Sequence, residues 1–375
     1  MRFPEFEGEW ETKKLREFGE INPKYKKFPS LFVYIDLESV SNGRLLKEEF
    51  INEKEAPSRA QRILEKGDIL FQMVRPYQKN NLFFNKEGRY VASTGYAQIR
   101  TKQNPQFVFQ YLHNQKFVDK VIERCTGTSY PAINSSDLGN IHIHYPHLNE
   151  QSKIASFLSL VDERIQTQNK IIEELETLKT SISKKIFSQN LRFKDNNGNE
   201  FSRWEFKEIG DVFTITRGNV LSMSLLSNDK DNENNYPVYS SQTKNKGLAG
   251  YYNNFIFENA ITWTTDGANA GDVNYREGKF YCTNVCGVLL NSNGNANHCI
   301  AELINSVSHK YVSYVGNPKL MNGTMSSIVI PFPSIQEQQK ISNILVSLNT
   351  KIDIENTFLQ KLDNQKKYLL DNLFV

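Results

Sequence analysis

Two stretches of this chain carry the same hydrophobic rhythm. In the first, Ile154, Leu158, Val161, Ile165, Gln168, Ile172, Leu175, Lys179, Ile182 and Ile186 step by four and three residues throughout. The second repeats those steps as Ile341, Leu345, Leu348, Ile352, Glu355, Leu359, Leu362, Lys366, Leu369 and Leu373. A sustained alternation of four and three predicts a helix with a coiled-coil seam. The polar breaks fall at equivalent places, Gln168 with Glu355 and Lys179 with Lys366, and polar residues in a seam fix its register. No proline or glycine interrupts 151–187, so the helix should reach about 55 Å at ~1.5 Å per residue. Ser334-Ile335-Gln336-Glu337, after Pro333, reads as a capping box that opens the second helix.

The rhythm is part of a longer internal repeat. Residues 131–187 lie without gaps on 318–374 at a constant offset of 187, with 14 identities in 57 positions. Pro146 falls on Pro333, Glu150-Gln151 on Glu337-Gln338, and Lys153-Ile154 on Lys340-Ile341. Arg2-Phe3 resembles Arg192-Phe193, and Trp10-Glu11-Thr12-Lys13 resembles Trp204-Glu205-Phe206-Lys207. The chain is therefore two copies of one unit, each a variable body followed by a shared helical tail. A pseudo-dyad between the copies would make the two helices antiparallel.

The bodies alternate short apolar runs with turn residues. Residues 32–37, 67–72 and 90–93 predict strands in the first body, and 104–121 a helix. Residues 237–240, 260–263 and 285–290 predict strands in the second, and 299–315 the corresponding helix. Short strands at 141–146 and 328–333 end the bodies. The expected class is mixed α/β (α+β) bodies on an antiparallel two-helix coiled coil. The expected divisions are 1–148 (first body), 149–190 (first helix), 191–335 (second body) and 336–375 (second helix).

Composition narrows the chemistry. The formal net charge is +3 over 375 residues. It divides unevenly, with 28 basic against 24 acidic residues before position 191 and 17 against 18 after it. A sequence-independent DNA binder would be more basic, because phosphate neutralisation supplies most of such affinity. Any contact with nucleic acid should therefore be shaped and specific, or made together with basic partners. No apolar run is long enough to span a membrane and no secretory leader is evident, so a cytoplasmic location is expected. Cys125, Cys282, Cys286 and Cys299 have neither CxxC spacing nor an even framework and read as thiols in a reducing compartment.

Enzyme signatures are missing. The chain has no GxxxxGK[ST] loop and no GxGxxG. It also lacks the Asn/Asp-Pro-Pro-aromatic tetrapeptide of amino-methyltransferases; Asn22-Pro23-Lys24-Tyr25 is the nearest approach. His142, His144 and His147 invite a metal reading, but their equivalents are Val329, Pro331 and Ser334, and no metal site is expected. Thr265–Gly271 could cradle a phosphate with its backbone N–H groups, but a turn whose glycines supply positive φ is the favoured reading, and no segment of the first body obviously matches it. Polar, basic and aromatic loops are the candidate DNA contacts: Arg75, Tyr77, Gln78 and Lys79 with Thr128, Ser129 and Tyr130 in the first body. In the second they are Ser241, Gln242, Thr243, Lys244 and Lys246 with Asn322 and Thr324. Arg and Lys can read guanine and Gln or Asn adenine in the major groove, while Ser and Thr reach phosphates or base edges. Taken alone, each is more often an ordinary solvated loop.

Taken together, these features resemble the specificity (S) subunit of type I restriction-modification systems. The resemblance rests on duplicated bodies followed by helices introduced by Pro146-His147-Leu148-Asn149-Glu150-Gln151 and Pro333-Ser334-Ile335-Gln336-Glu337-Gln338. It extends to Trp10, Trp204 and Gly67-Asp68-Ile69-Leu70-Phe71. It implies a non-catalytic subunit in which each body reads half of a bipartite target on double-stranded DNA and the helices set the spacer. Two methyltransferase (M) subunits and two motor-nuclease (R) subunits are implied as partners, with S-adenosylmethionine, ATP and Mg on those partners and no cofactor on this chain. A bacterial or archaeal, nucleoid-associated setting follows. Leu160, Ile171 and Leu178, off the seam, are the expected docking residues for M. The rival expectation is a coiled-coil scaffold joining two protein-binding domains.

Overall fold

The computed structural model describes residues 1–25, 27–41, 43–241 and 245–374. They form two compact units: residues 1–171 with the C-terminal residues from Asn356 onward, and residues 172–355. The divisions fall inside the long helices, because each helix end is buried in the core of a unit.

In chain order the first unit contains strands β1 (Glu11–Lys14), β2 (Gly19–Ile21), β3 (Leu31–Ile35), β4 (Val40–Ser41), β5 (Arg44–Leu45) and β6 (Phe50–Asn52). They are followed by β7 (Ala60–Ile63), β8 (Ile69–Gln72), β9 (Leu82–Phe83), β10 (Tyr90–Ser93), β11 (Tyr96–Thr101) and β12 (His142–Tyr145). Its helices are α1 (Leu15–Phe18), α2 (Pro105–Tyr111), α3 (Gln115–Ile122), α4 (Ser135–Gly139) and the start of α5 (Leu148–Phe187). Two four-stranded sheets run β6-β3-β10-β7 and β2-β11-β8-β9, and β1 pairs with β12. Strand β8 is buried on both faces: Ile69 and Phe71 enter the cluster containing α2 and α5, while Leu70 faces a second cluster with Leu82 and Tyr96. That alternation is the period-two geometry of a strand.

The single helix expected over 104–121 is instead two. Asn114 caps α3 by accepting from the Phe117 amide, and its Nδ2 donates to the Leu370 carbonyl at 2.6 Å. A side chain that caps a new helix offers the backbone an alternative to continuing the old one.

The second unit contains β13 (Glu205–Glu208), α6 (Ile209–Val212), β14 (Thr214–Arg217), β15 (Tyr236–Tyr239), β16 (Leu248–Tyr252) and β17 (Phe257–Thr264). Then come β18 (Val273–Cys282), β19 (Cys286–Leu290), α7 (His298–Ser308), α8 (Asn322–Ser326), β20 (Val329–Phe332) and α9 (Ile335–Leu373). One six-stranded sheet runs β14-β19-β17-β18-β15-β16, and β13 pairs with β20. This is the strand order of the first unit with its two sheets joined. The ten-residue β18 pairs with β17 and, in parallel, with β15, where the first unit divides those roles between β9 and β10. Gly287 on β19 lies under Trp263, whose ring would stand about 2.1 Å from any Cβ there.

Both long helices are antiparallel partners within each unit. In the first, the Asp162–Lys366 ion pair at 2.5 Å and Arg164 over the Phe358 ring join residues whose numbers rise on α5 and fall on α9. Ile154 and Leu158 share a core with Leu369, Leu370, Leu373 and Phe374. In the second, Ile186 shares a core with Ile341, Leu345 and Trp204. Of the expected seam, Ile154, Leu158, Ile172, Ile341, Leu345, Ile352 and Leu362 are buried, and Val161, Ile165, Leu175, Leu348 and Leu359 are half-buried. The polar breaks serve different ends. Gln168 is buried, Lys366 pairs with Asp162, and Lys179 leaves the seam for Glu302 of α7 at 3.5 Å.

The repeated Glu-Gln pair is a fastener. Gln151 and Gln338 donate to the Pro146 and Pro333 carbonyls at 2.8 and 2.9 Å. Glu150 holds the Arg2 guanidinium through both carboxylate oxygens, and Glu337 holds Arg192. The capping box expected at 334–337 is half realised: the Ser334 hydroxyl accepts from the Glu337 amide at 3.4 Å, but the Glu337 carboxylate turns to Arg192 and to the Trp204 indole.

Candidate nucleic-acid interface

In the first unit two loops are bonded edge to edge. The segment after β8 and the hairpin 126–132 share the bridges Val74↔Ala132 and Thr126↔Ala132. The Arg75 amide donates to the Pro131 carbonyl at 2.7 Å and the Ile133 amide to the Met73 carbonyl at 3.1 Å. This brings Arg75 beside the hairpin that carries Thr128, Ser129 and Tyr130. The guanidinium of Arg75 lies 4.1 Å above the Tyr130 ring. Tyr77, Gln78, Thr128, Ser129 and Tyr130 are exposed, and Gln78 accepts a bond from Gln72 at 2.9 Å. The Lys79 amine is already engaged, donating to the His113 carbonyl at 3.0 Å and to Gln115 at 2.9 Å. Its burial pushes the pKa down.

The second unit builds the same junction from other residues. Its bridges are Asp266↔Lys319 and Ser313↔Lys319. The Gly267 amide donates to the Pro318 carbonyl at 3.0 Å, and the Leu320 amide to the Thr265 carbonyl at 2.9 Å. By these bridges and bonds Gly267–Gly271 is the counterpart of Arg75–Lys79, which corrects the expectation that the first body lacks one; only the last amides differ, Lys79 donating to the Pro76 carbonyl and Gly271 to the Thr264 carbonyl. The correspondence here runs at an offset of 192, since Ile69, Phe71 and Leu82 pair as Ile261, Trp263 and Asn274 do. Even the positive φ values recur, 53° and 54° at Arg75 and Lys79 against 95° at both glycines.

The junction also carries side chains that were not among the expected DNA contacts. Asp266 stands 3.7 Å from the Lys319 amine and accepts from the Thr265 hydroxyl at 2.9 Å. Tyr314 and Val315 sit exposed at the hairpin tip. The aromatic pair Phe71 and Trp263 was the one available signal, and a single pair cannot set an alignment. Of the residues expected here, Asn322 is half-buried at the start of α8 and Thr324 is exposed beside it. Ser241 is half-buried; Gln242, Thr243 and Lys244 lie outside the described residues. Lys246 is exposed, 3.8 Å from Asp353, and its carbonyl accepts from Arg276 at 2.7 Å. Arg276 is buried against the Tyr239 ring, 3.7 Å away, with its Nε donating to Thr262, and burial pushes its pKa down. It anchors this loop from beneath.

Among the described residues, no three His, Cys, Asp or Glu side chains stand close enough to hold a metal. His144 meets the Thr12 hydroxyl at 2.8 Å. No described helix is long and apolar enough to cross a membrane. The four cysteines are free thiols. On the helices Leu160, Ile171 and Leu178 are exposed.

A family model described as the type I restriction modification DNA specificity domain matches residues 7–177 and again 202–364. A Mycoplasma pneumoniae protein named as the N-terminus of a type I specificity subunit is 40% identical over 141 residues, covering 37% of this chain and 74% of its own. A second type I specificity subunit of that organism is 32% identical over 191 residues, 50% of this chain and 58% of its own. The crystal structure of a type I restriction-modification S subunit from M. genitalium superposes with a TM-score of 0.66 at 18% identity. That match covers 98% of this chain and 96% of the other, so the fold is shared along the chain. The chain belongs to the type I restriction-modification specificity family, as a non-catalytic subunit for DNA sequence recognition.

Proposed function

We propose that each unit reads one half of a bipartite site on double-stranded DNA through the loop junction just described. The supporting observation is the junction itself: the same bridges and the same pair of backbone bonds between loop and hairpin recur in both units and carry different side chains in each. A pair of readers with different half-sites needs that combination. Phosphate contacts would position the junction, and side chains at base edges would specify. The helices set the spacer between half-sites. Their exposed Leu160, Ile171 and Leu178 dock two M subunits, and two R subunits complete the assembly. S-adenosylmethionine, ATP and Mg are bound by those partners, in a bacterial or archaeal cytoplasm at the nucleoid.

Under this reading 1–148 and 191–335 are the exchangeable recognition bodies, and 149–190 and 336–375 are common parts. Replacing residues 15–145 by the first body of a relative should change one half of the methylated motif and leave the other intact. The measurement is methylome sequencing of cells that carry the chimera with its partners. A chimera that alters both halves, or neither, excludes independent reading and favours a protein scaffold.

A further inference from the structure

The paired loops carry one asymmetry that the fold does not require. Glycine enters the left-handed region without penalty, whereas a side chain there is disfavoured. The second unit closes its loop with glycine at both left-handed positions, 267 and 271. The first unit enters the equivalent loop through the same backbone bonds at Arg75 as the second makes at Gly267, and it carries Arg75 and Lys79 at the two left-handed positions. Both side chains are thus held against the preference of their backbone, and such strain concentrates where function keeps it.

Lys79 has a structural occupation, since its amine ties the loop to the carbonyl of His113 and to Gln115. Arg75 has none of that kind. Its Nε is shielded from water without a hydrogen-bond partner among the described residues, and its guanidinium rests on Tyr130, a residue that is 65% exposed. Stacking on an aromatic face fixes the plane of the guanidinium fork. The fork is therefore oriented in advance on the edge where Thr128 and Ser129 are also exposed.

We propose that Arg75 is the specificity-determining side chain of the first unit, offering its fork to O6 and N7 of a guanine in the major groove, with Tyr130 as its positioning residue. The bidentate arginine–guanine pair is the commonest specific protein–DNA contact. The inference rests on the DNA-reading function proposed above.

The test uses the full chain assembled with its methyltransferase subunits. Arg75→Gly places in the first unit the residue that the second unit already uses. It should melt no lower than the parent, assemble normally and keep the second half-site. One G·C pair of the first half-site should become degenerate in the methylated motif, with cognate affinity reduced on the order of tenfold to a hundredfold. Arg75→Lys keeps a charge able to reach guanine but loses the planar fork stacked on Tyr130, and should weaken the same discrimination by less than Arg75→Gly does. Tyr130→Phe retains the stacking face and should keep the motif, whereas Tyr130→Ala should relax the same base pair as Arg75→Gly. An unchanged motif in Arg75→Gly overturns the proposal. So does an equal loss on every sequence with a shallower salt dependence, which marks a phosphate contact. Relaxation at an A·T pair, or a lower melting temperature for the glycine variant, overturns it as well. Failure of the reading function itself appears separately, as a parent complex whose motif ignores the exchange of residues 15–145.

Discussion

The two units follow one strand order with different materials. The first divides its sheet in two, with β9 and β10 separate; the second fuses those roles in β18. Their cores are closed by equivalent helix ends, Leu373 and Phe374 in the first and Ile186 and Phe187 in the second. Their reading loops follow one path on different residues. The difference teaches that the path is fixed by backbone hydrogen bonds, which any residue can make, while recognition is left to side chains the path does not use. If so, equivalent core positions should respond alike. Leu158 and Leu345 are fully buried at matching places, 0% and 1% exposed. Truncating either to alanine should cost about 2–5 kcal/mol. Denaturant unfolding of both variants measures it. A large cost at one leucine beside a negligible one at the other breaks the equivalence.

How much of this was legible in the sequence follows from the same distinction. The heptads announced α5 and α9 because a helix face repeats within a few residues, and the gapless repeat gave their equivalence. The Glu-Gln pair was visible as a repeated motif, yet its use was not, since its partners Arg2 and Arg192 lie some 145 residues away. The likeness of the bodies was hidden for a physical reason. Strand pairing constrains the alternation of buried faces and little else, so Ile69-Leu70-Phe71 and Ile261-Thr262-Trp263 fill one role with a single identity. Loop insertions then move the offset from 187 to 192 and defeat a gapless comparison. The break between α2 and α3 was missed because its apolar spacing continues through Asn114, whose cap outweighs periodicity.

Acid should distinguish the units next. His113 in the first unit is driven down to about 4, chiefly by desolvation and then by the Lys366 cation, against the help of the Phe109 carbonyl. The folded state therefore favours the neutral ring. An unfolded histidine titrates near 6.5, so below that pH the unfolded chain binds the extra proton. Stability from this group is full above about pH 7, declines as pH falls through 6.5, and levels off below about 4. The loss at pH 5 is about 2 kcal/mol. Unfolding free energies of the parent and His113→Gln between pH 7.5 and 5 should converge as pH falls. Parallel curves would mean that the ring is as solvated as an ordinary surface histidine.

The smallest expected difference is the sharpest, because it compares one residue type at one repeated position. Trp204 donates its indole N–H to Glu337 at 2.8 Å, in a buried bond to a carboxylate that also holds Arg192. Trp10 is its counterpart, yet among the described residues its indole nitrogen is shielded from water with no partner, and Glu150 serves Arg2 alone. Replacing tryptophan by phenylalanine trims volume in both cases but removes a hydrogen bond in only one. Losing one partner of a buried, charge-assisted bond is costly, whereas deleting a donor that had no partner relieves its desolvation. Trp204→Phe should therefore destabilise its unit by about 1–2 kcal/mol more than Trp10→Phe destabilises the other. Melting and denaturant curves of the two variants supply the number. Equal losses would place a partner on the Trp10 indole, and the two entry tryptophans would then be the same device used twice.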